Sequence, residues 1–237
     1  VINYDDKLCY GLAKDCKAKV VPFSRLEELD FGAFLKGDML VIRNEAGELI
    51  ELCNRNDLKI IGDHNVENAL AAAAICYFAG IDSEVISKTL TDFGGVEHRI
   101  EYSGEINGVK FYNDSKGTNV DAAVIALRAI KKNIILIAGG DGKGQSFDEL
   151  IKNFEGRVKH MILLGRDGGI IAEAADKYGF KDYTFAKDMP ECVNKAFEMA
   201  QPGDTVLLSP ACASWDMYDN FEQRGDHFKE CVSRLGL

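Results

Sequence analysis

The stretch that decides the fold of this 237-residue chain is Tyr112-Asn113-Asp114-Ser115-Lys116-Gly117-Thr118-Asn119. It combines an acid, a base and two small hydroxyl residues, and a helical pattern follows it. Side chains alternate along an extended segment, so Asp114 and Lys116 are expected on one side, with Thr118. Gly117 then allows a turn, and the next two residues predict the cap of a helix. The stretch is either a hairpin-to-helix connection with an incidental ion pair or part of a binding site.

The composition is typical of a soluble globular protein, because 46% of the residues are hydrophobic and 28% are charged. The length fits one large domain or two modest ones. No apolar run approaches the roughly 18 residues of a membrane span. The net charge of −10 argues against non-specific binding to nucleic acid. The sequence therefore predicts neither a membrane nor a nucleic-acid partner.

Seven cysteines are scattered along the chain without a CxxC pair, and the four histidines form no metal-binding pattern. An odd number of cysteines without a framework spacing fits a reducing compartment better than a disulfide scaffold. We therefore expect a cytoplasmic protein without a zinc site.

The first part of the chain indicates short strands and turns up to about residue 60, with a β-hairpin over 38–43 and 48–52. A helix then begins near Asp63 or Asn65, either of which predicts its N-cap, and ends at Gly80. A second helix is predicted over 83–92. Because a glycine-containing passage follows, we expect domains at 1–96 and 97–237.

In the second part of the chain, the dipeptide Asn107-Gly108 predicts a hairpin. After it, the pattern changes to strands that alternate with helices. Continuous apolar runs at 134–138, 161–164 and 205–208 predict buried strands. Between them lie predicted helices near 146–153, 168–178 and 189–200, and a last one over 221–235. Strands alternating with helices indicate an α/β fold with a mostly parallel, doubly wound sheet. Such sheets bind ligands beyond the carboxyl ends of their strands, where this sequence places Gly, Asp, Lys and Ser.

Three candidate sites remain ambiguous from their local pattern. The glycine-rich run 139–146 fails as a Walker A loop, because Lys143 is followed by glycine rather than Ser or Thr. Lys143 either binds a carboxylate or is a solvated loop lysine. Asn65 and Asn68 either cap a helix or hydrogen-bond a ligand such as a base. Arg99 is either a surface charge or a phosphate ligand.

Five stretches together resemble one family, the Mur ligases, and are most similar to its D-glutamate-adding branch. The histidine–asparagine and His-Arg elements are shared more widely, including with folylpolyglutamate synthases. The resemblance extends from about Ile61 to the end of the chain. The stretches are Gly62-Asp63-His64-Asn65-Val66-Glu67-Asn68, Glu97-His98-Arg99, Asn113-Asp114-Ser115-Lys116-Gly117-Thr118-Asn119, Gly139-Gly140-Asp141-Gly142-Lys143, and Leu207 to Ser214 with Phe221-Glu222-Gln223-Arg224-Gly225.

The resemblance implies three domains: a UDP-binding domain, a central ATPase domain with a P-loop, and a Rossmann-like C-terminal domain. Residues 1–96 would be the last part of the central domain, and 97–237 the amino-acid-binding domain. Because Val1-Ile2-Asn3 begins without a methionine, we expect the UDP-binding domain and the P-loop to lie upstream. The isolated chain is then expected to be inactive.

The implied reaction belongs to peptidoglycan precursor synthesis. ATP phosphorylates the carboxylate of UDP-N-acetylmuramoyl-L-alanine, and the amine of D-glutamate attacks the resulting acyl phosphate, which forms an amide. The family uses Mg²⁺, whose ligands and a modified lysine are expected upstream, so no metal site is predicted here. The enzyme is expected to be a monomer. By resemblance, the site residues are Asn65 and Asn68 near adenine, Arg99 near the phosphates, Asp114 near the ribose, Lys116 between the phosphates and the amino acid, and Thr118, Lys143, Ser214 and Phe221 around D-glutamate; Lys116 and Arg99 would be catalytic.

Two positions depart from the family pattern. Gly117 stands where alanine is usual, which is expected to loosen the loop without removing a functional group. Trp215 stands where a smaller apolar residue is common, so the resemblance does not fix the size of the glutamate pocket. The alternatives are another Mur-type or folylpolyglutamate-type ligase and a non-catalytic Rossmann-like binding module.

Overall fold

A computed structural model describes residues 1–235, and the chain divides into two compact units between Gly95 and Val96. Each unit has its own sheet and its own hydrophobic core. None of the helices in residues 1–235 has the length and hydropathy needed to cross a lipid bilayer.

The first unit is built on a five-stranded sheet in which the strands follow chain order. The first three strands pair in parallel and the last three in antiparallel fashion. The predicted hairpin is confirmed as the last pair, whereas a short helix α1 (Lys7–Gly11) and two 3-10 helices, Leu12–Asp15 and Arg55–Asp57, were not predicted. The strands are β1 (Ile2–Asn3), β2 (Pro22–Ser24), β3 (Gly32–Lys36), β4 (Met39–Arg43) and β5 (Leu49–Asn54).

Two helices cover this sheet, α2 (Asp63–Phe78) and α3 (Ser83–Asp92). The alanine-rich sequence of α2 lets it pack closely, because its buried alanines belong to the same core as β3 and β4. The predicted N-cap was wrong: Gly62 precedes the helix without a side-chain cap, and the Asp63 carboxylate instead lies 2.6 Å from Arg55 Nη2. Gly80, with a φ of 93°, follows the end of α2 as predicted.

The second unit contains a six-stranded sheet in the order β10-β9-β8-β11-β7-β6. Every neighbouring pair is parallel except β6 with β7, which forms the hairpin predicted from Asn107-Gly108. The mixed α/β fold with a mostly parallel sheet is confirmed, although β10 was not predicted. The strands are β6 (Glu101–Ile106), β7 (Val109–Asn113), β8 (Ile134–Gly139), β9 (Val158–Leu164), β10 (Tyr183–Phe185) and β11 (Thr205–Leu208).

Helices lie on both faces of this sheet. Ile135 and Ile137 of β8 belong to the core formed with α7 (Met189–Met199) and α8 (Phe221–Arg234). The alternate residues Ile134 and Leu136 are also fully buried and point to the opposite face, because side chains alternate along a strand. The remaining helices are α4 (Val120–Ile130), α5 (Asp148–Lys152) and α6 (Gly168–Lys177), and all five lie where the sequence predicted them.

The parallel strands β7, β8, β9 and β11 end at one edge of the sheet, so the segments that follow them are neighbours. We call residues 114–119 the seam loop, residues 140–145 the glycine loop, and residues 209–216 the strand-end loop. These three loops contain most of the site residues predicted from the sequence.

Candidate functional site

The seam loop turns Asp114 inward and Lys116 outward. Strand β7 ends at Asn113, and the Gly117 amide donates to Asp114 O at 2.8 Å, which closes a turn. Asp114 is 4% exposed, whereas the Lys116 ammonium lies 5.4 Å from the centre of the Phe221 ring. The prediction that Asp114 and Lys116 share one side was therefore wrong, because the extended segment stops one residue before Asp114. The predicted helix cap is confirmed: Asn119 caps α4 by accepting from Ala122 N.

Asp114 ties the seam loop to two other segments. Ser209 Oγ donates to its Oδ2 at 2.7 Å, and Ile100 N donates to its Oδ1 at 3.3 Å. Burial raises the pKa of Asp114 to about 7, although these hydrogen bonds and the charges of Arg99 and Arg224 act in the opposite direction. The carboxyl group therefore titrates near neutral pH while it is held inside the fold.

Gly117 lies very close to the side chains of Asp114 and Ser209. A Cβ at this position would lie 2.5 Å from Asp114 Oδ2 and 3.0 Å from Ser209 Oγ. The missing methyl group makes room for the inward carboxyl of Asp114, and the expectation that glycine loosens the loop stays a prediction.

The strand-end loop is fastened to the glycine loop. Gly139 N donates to Pro210 O at 2.9 Å, and the backbones of Asp141 and Ala213 exchange hydrogen bonds of 2.9 and 2.8 Å. Ser214 is buried at the end of this contact, and Trp215 beside it is 66% exposed. The Lys143 ammonium lies 5.8 Å from the centre of the Trp215 ring. Lys143 and the Ser214–Trp215 segment are therefore brought together at this edge of the sheet, and their common role around an amino acid stays a prediction.

Arg99 lies exposed on a turn that is attached to the seam loop. Lys116 N donates to His98 O at 3.0 Å, and the buried His98 ring places its Nδ1 3.0 Å from Asn113 Nδ2. Because this amide nitrogen also donates to Glu101 Oε2 at 3.0 Å, His98 Nδ1 is the acceptor and the imidazole proton is on Nε2. The backbone of the arginine turn is thus held by fixed hydrogen bonds.

Asn65 and Asn68 lie in the first unit, apart in the chain from the other predicted site residues. Asn65 Nδ2 donates to Ile61 O at 2.8 Å, and Asn68 Nδ2 donates to Asn65 Oδ1 at 3.2 Å. The two amides therefore contact each other on the first turns of α2, where Asn65 also ties the helix to the preceding segment.

One group of possible metal ligands occurs within residues 1–235, formed by Glu97, His98 and Asp226, whose ligand atoms lie within 4.8 Å of one another. The Lys229 ammonium lies 2.5 Å from Glu97 Oε1 and 3.2 Å from Asp226 Oδ1. This group does not fit Mg²⁺, because a cation of the protein already neutralises its carboxylates and one ligand would be a histidine.

Comparison with known proteins matches residues 98–212 to the family described as Mur ligase, glutamate ligase domain. The curated relatives include proteins named UDP-N-acetylmuramoylalanine–D-glutamate ligase. One from Thermoanaerobacter sp. strain X514 is 50% identical over 237 residues. Residues 98–212 belong to the Mur ligase family.

The relatives are considerably longer than the chain. The Thermoanaerobacter ligase and the Clostridioides difficile strain 630 ligase, which is 45% identical over 235 residues, each match 99% of this chain but only 52% of their own length. The chain therefore spans about half the length of the curated relatives that it matches.

Solved structures show the same fold at low sequence identity. The UDP-N-acetylmuramate-alanine ligase of Thermotoga maritima superposes with a TM-score of 0.65 at 18% identity, covering 91% of this chain and 48% of its own. The Mycobacterium tuberculosis folylpolyglutamate synthase complexed with ADP gives 0.64 at 12% identity, covering 92% and 51%. The architecture is thus common to Mur ligases and folylpolyglutamate synthases.

The structure also reveals residues of the candidate site that sequence reasoning missed. Arg224 is fully buried in α8 and donates to Ser115 and to Cys212 O, while Ser209 holds Asp114. Arg224 lies within a stretch shared with the Mur ligases, but its charge gave no sign of burial. The polar character of Ser115 and Ser209 was visible, but their partners are distant in sequence.

Proposed function

We propose that this chain is the C-terminal half of a cytoplasmic, ATP-dependent ligase that adds D-glutamate to UDP-N-acetylmuramoyl-L-alanine. Relatives that are 45–50% identical over 99% of the chain carry that activity in their names. The first unit would then be the last part of the central P-loop ATPase domain, and the second unit the amino-acid-binding domain.

The observation that carries this proposal is the pair of exposed lysines at the carboxyl edge of the second sheet. Lys116 and Lys143 extend from neighbouring loops, and each ammonium lies over an aromatic ring, Phe221 or Trp215. A lysine held over an aromatic ring keeps its charge available for an anion. D-Glutamate brings two carboxylates and the acyl phosphate brings further negative charge, so two separate cations match the substrates.

In the proposed reaction, an oxygen of the alanine carboxylate attacks the γ-phosphorus of ATP and ADP leaves. The neutral amine of D-glutamate then attacks the acyl carbon, the carbon–oxygen bond to phosphate breaks, and the amine loses a proton. Lys116 and Arg99 neutralise the charge that moves onto the phosphate, while Lys143, Ser214 and Thr118 hold the carboxylates of D-glutamate. Catalysis then depends on positioning and charge neutralisation.

Nucleotide binding is assigned to Asn65 and Asn68 for the adenine and to Asp114 for the ribose. Asp114 is 4% exposed in this structure, so a contact with the ribose requires its carboxyl group to become more exposed. Mg²⁺ would neutralise the phosphates of ATP, and we assign its ligands to the part of the relatives that lies outside this chain.

The proposal is tested by Lys143→Ala in the complete ligase, with Lys132→Ala, another exposed lysine of the same unit, as the control. We expect the KM for D-glutamate to rise about tenfold or more in Lys143→Ala, because a charge-assisted contact worth roughly 1.5–3 kcal/mol is lost. Thermal unfolding and the KM for ATP should stay unchanged, and the control should match the wild type. Wild-type glutamate kinetics in Lys143→Ala contradict the assignment, and turnover only with another amino acid or with folate selects the alternative ligases.

A further inference from the structure

Arg224 is a buried cation at the junction of the three loops. Its side chain is 2% exposed and is among the largest fully buried side chains of residues 1–235. Its partners are uncharged oxygens: Nε donates to Ser115 Oγ at 2.9 Å, Nη2 to Ser115 O at 2.8 Å, and both Nη atoms to Cys212 O at 3.1 Å. Burying a guanidinium is unfavourable unless its donors are satisfied. The cost of burial is thus offset by contacts to two loops rather than by a carboxylate.

These contacts link segments that no strand pairing holds together. Ser115 lies between Asp114 and Lys116 in the seam loop, and Cys212 lies two residues before Ser214 in the strand-end loop. The Asp114 N–Leu208 O hydrogen bond of 2.7 Å and the Ser209–Asp114 contact join the two loops at their first residues, and beyond these residues β7 and β11 supply no ladder. The Ser115 hydroxyl, which accepts from Arg224, donates in turn to Phe221 O at 2.7 Å. The first turn of α8, beneath the Lys116 ammonium, therefore belongs to the same network.

The glycine loop packs against the same guanidinium. A Cβ at Gly140 would lie 3.4 Å from Arg224 Nη1 and 2.3 Å from Ala213 O, and Gly140 has a φ of 129°. The segment that leads to Lys143 thus passes directly over the guanidinium. Burial lowers the pKa of Arg224 to about 10, so the group stays protonated at neutral pH.

We propose that Arg224 is a positioning residue that fixes the seam loop and the strand-end loop relative to one another, and so sets the spacing of Lys116 and Ser214. The consequence for substrate rests on the proposed function. Arg224 itself is too deeply buried to touch a substrate, and its effect passes through Ser115 and Cys212. A displacement of about 1 Å in a positioning group costs up to about 10²-fold in turnover.

The test compares Arg224→Lys with Arg234→Lys, the same change at an exposed arginine of the same helix. Lysine keeps the positive charge but lacks the planar fork that reaches two oxygens at once. In the complete ligase, we expect Arg224→Lys to raise the KM for D-glutamate about tenfold and to lower kcat, with Arg234→Lys unchanged. A purely structural role predicts a lower melting temperature with wild-type KM and kcat in the folded enzyme, and that result overturns the proposal.

A second measurement needs no turnover. Trp215 is the single tryptophan of the chain and adjoins Ser214, so its quenching by acrylamide reports on the strand-end loop. We expect altered quenching in Arg224→Lys and wild-type quenching in Arg234→Lys. If the wild-type enzyme does not use D-glutamate, the proposed function is wrong. Altered quenching of Trp215 in Arg224→Lys still supports the positioning role in that case. Unchanged quenching overturns the role of Arg224 whatever the substrate is.

A milder variant covers the case in which Arg224→Lys does not fold. Ser115→Ala removes the hydroxyl that accepts from Arg224 Nε and leaves the guanidinium in place. It should shift the KM for D-glutamate and the quenching of Trp215 in the same direction by a smaller factor. Wild-type values of both quantities in a folded Ser115→Ala contradict the proposal.

Discussion

The replacement of Gly117 by alanine tests whether the inward position of Asp114 depends on a missing methyl group. The new Cβ would lie 2.5 Å from Asp114 Oδ2, whereas ordinary contacts begin near 3.4 Å. The carboxyl group must therefore move by 3.4 − 2.5 Å, which is about 0.9 Å. We expect a shift of that size to disrupt the 2.7 Å hydrogen bond from Ser209 Oγ, because Oδ2 is the atom that accepts it.

The energetic balance has two opposing parts. Losing a buried hydrogen bond to a carboxyl group costs about 1.5–3 kcal/mol. Alanine restricts the unfolded chain more than glycine does, and where the backbone conformation suits it this stabilises by roughly 0.4–1 kcal/mol. We therefore expect Gly117→Ala to lower the free energy of unfolding by about 1–2 kcal/mol.

The measurement is urea unfolding of the 237-residue chain, followed by a probe of the second unit such as Trp215 fluorescence. Gly169→Ala is the matched control, because Gly169 lies in α6 and a Cβ there would meet nothing within 4 Å. That variant should gain about 0.5–1 kcal/mol, as an alanine does inside a helix. The two substitutions are chemically identical and are expected to differ in sign.

A double-mutant cycle identifies the atom responsible. In an Asp114→Ala background the displaced oxygen is absent, so Gly117→Ala should cost less than about 1 kcal/mol. The reasoning is refuted if Gly117→Ala is as stable as Gly169→Ala, or if its cost is the same with and without the Asp114 carboxyl.

Four further results are expected. Burial raises the pKa of Asp114 to about 7 in the folded chain, so the unfolded chain loses this proton at a lower pH than the folded chain does. The free energy of unfolding of the wild type should therefore fall between about pH 4 and pH 7 and then level off. Asp114→Asn should lose this slope in urea titrations, and an unchanged slope contradicts the assignment. Burial raises the pKa of Cys212 to about 12, so mass spectrometry after a thiol reagent should find exposed Cys16 modified and Cys212 protected until unfolding. The 237-residue chain contains no Walker A sequence, so its phosphate release from ATP should stay at the level of buffer alone. Measurable hydrolysis contradicts the expectation that the isolated chain is inactive. D-Glutamate should change Trp215 emission in the wild type but not in Lys143→Met, and an identical response in both places the amino acid elsewhere.

Local chemistry allowed much of the fold to be predicted. Asn107-Gly108 specified a hairpin, Asn119 capped α4, and the apolar runs became the buried strands β8, β9 and β11. In each case the residues that decide the structure lie within a few positions of one another. The N-cap of α2 was wrong because Asp63, which suits a cap, pairs with Arg55 instead.

The internal arrangement of the site was not predictable in the same way. Asp114 finds its hydrogen-bond donor Ser209 at a separation of 95 residues, and Arg224 reaches Ser115 across 109 residues. Helical spacing places Arg224 on the same face of α8 as Phe228 and Val232, but its charge argued against burial, and only the packed loops supply acceptors for its donors. The sequence could indicate which residues meet at the carboxyl edge, but not which of them face inward.

The order of the strands has a consequence for how the second unit folds. β11 lies between β7 and β8, although the 65 residues 140–204 separate it from β8 along the chain. A nascent chain that has reached only α7 has both β7 and β8 but no strand to join them, so neither can complete its ladder. Pairings of such long sequence separation form slowly and late. The seam loop and the strand-end loop therefore become neighbours only in the last stage of assembly, and ribosome-bound chains that end before β11 should remain sensitive to proteases.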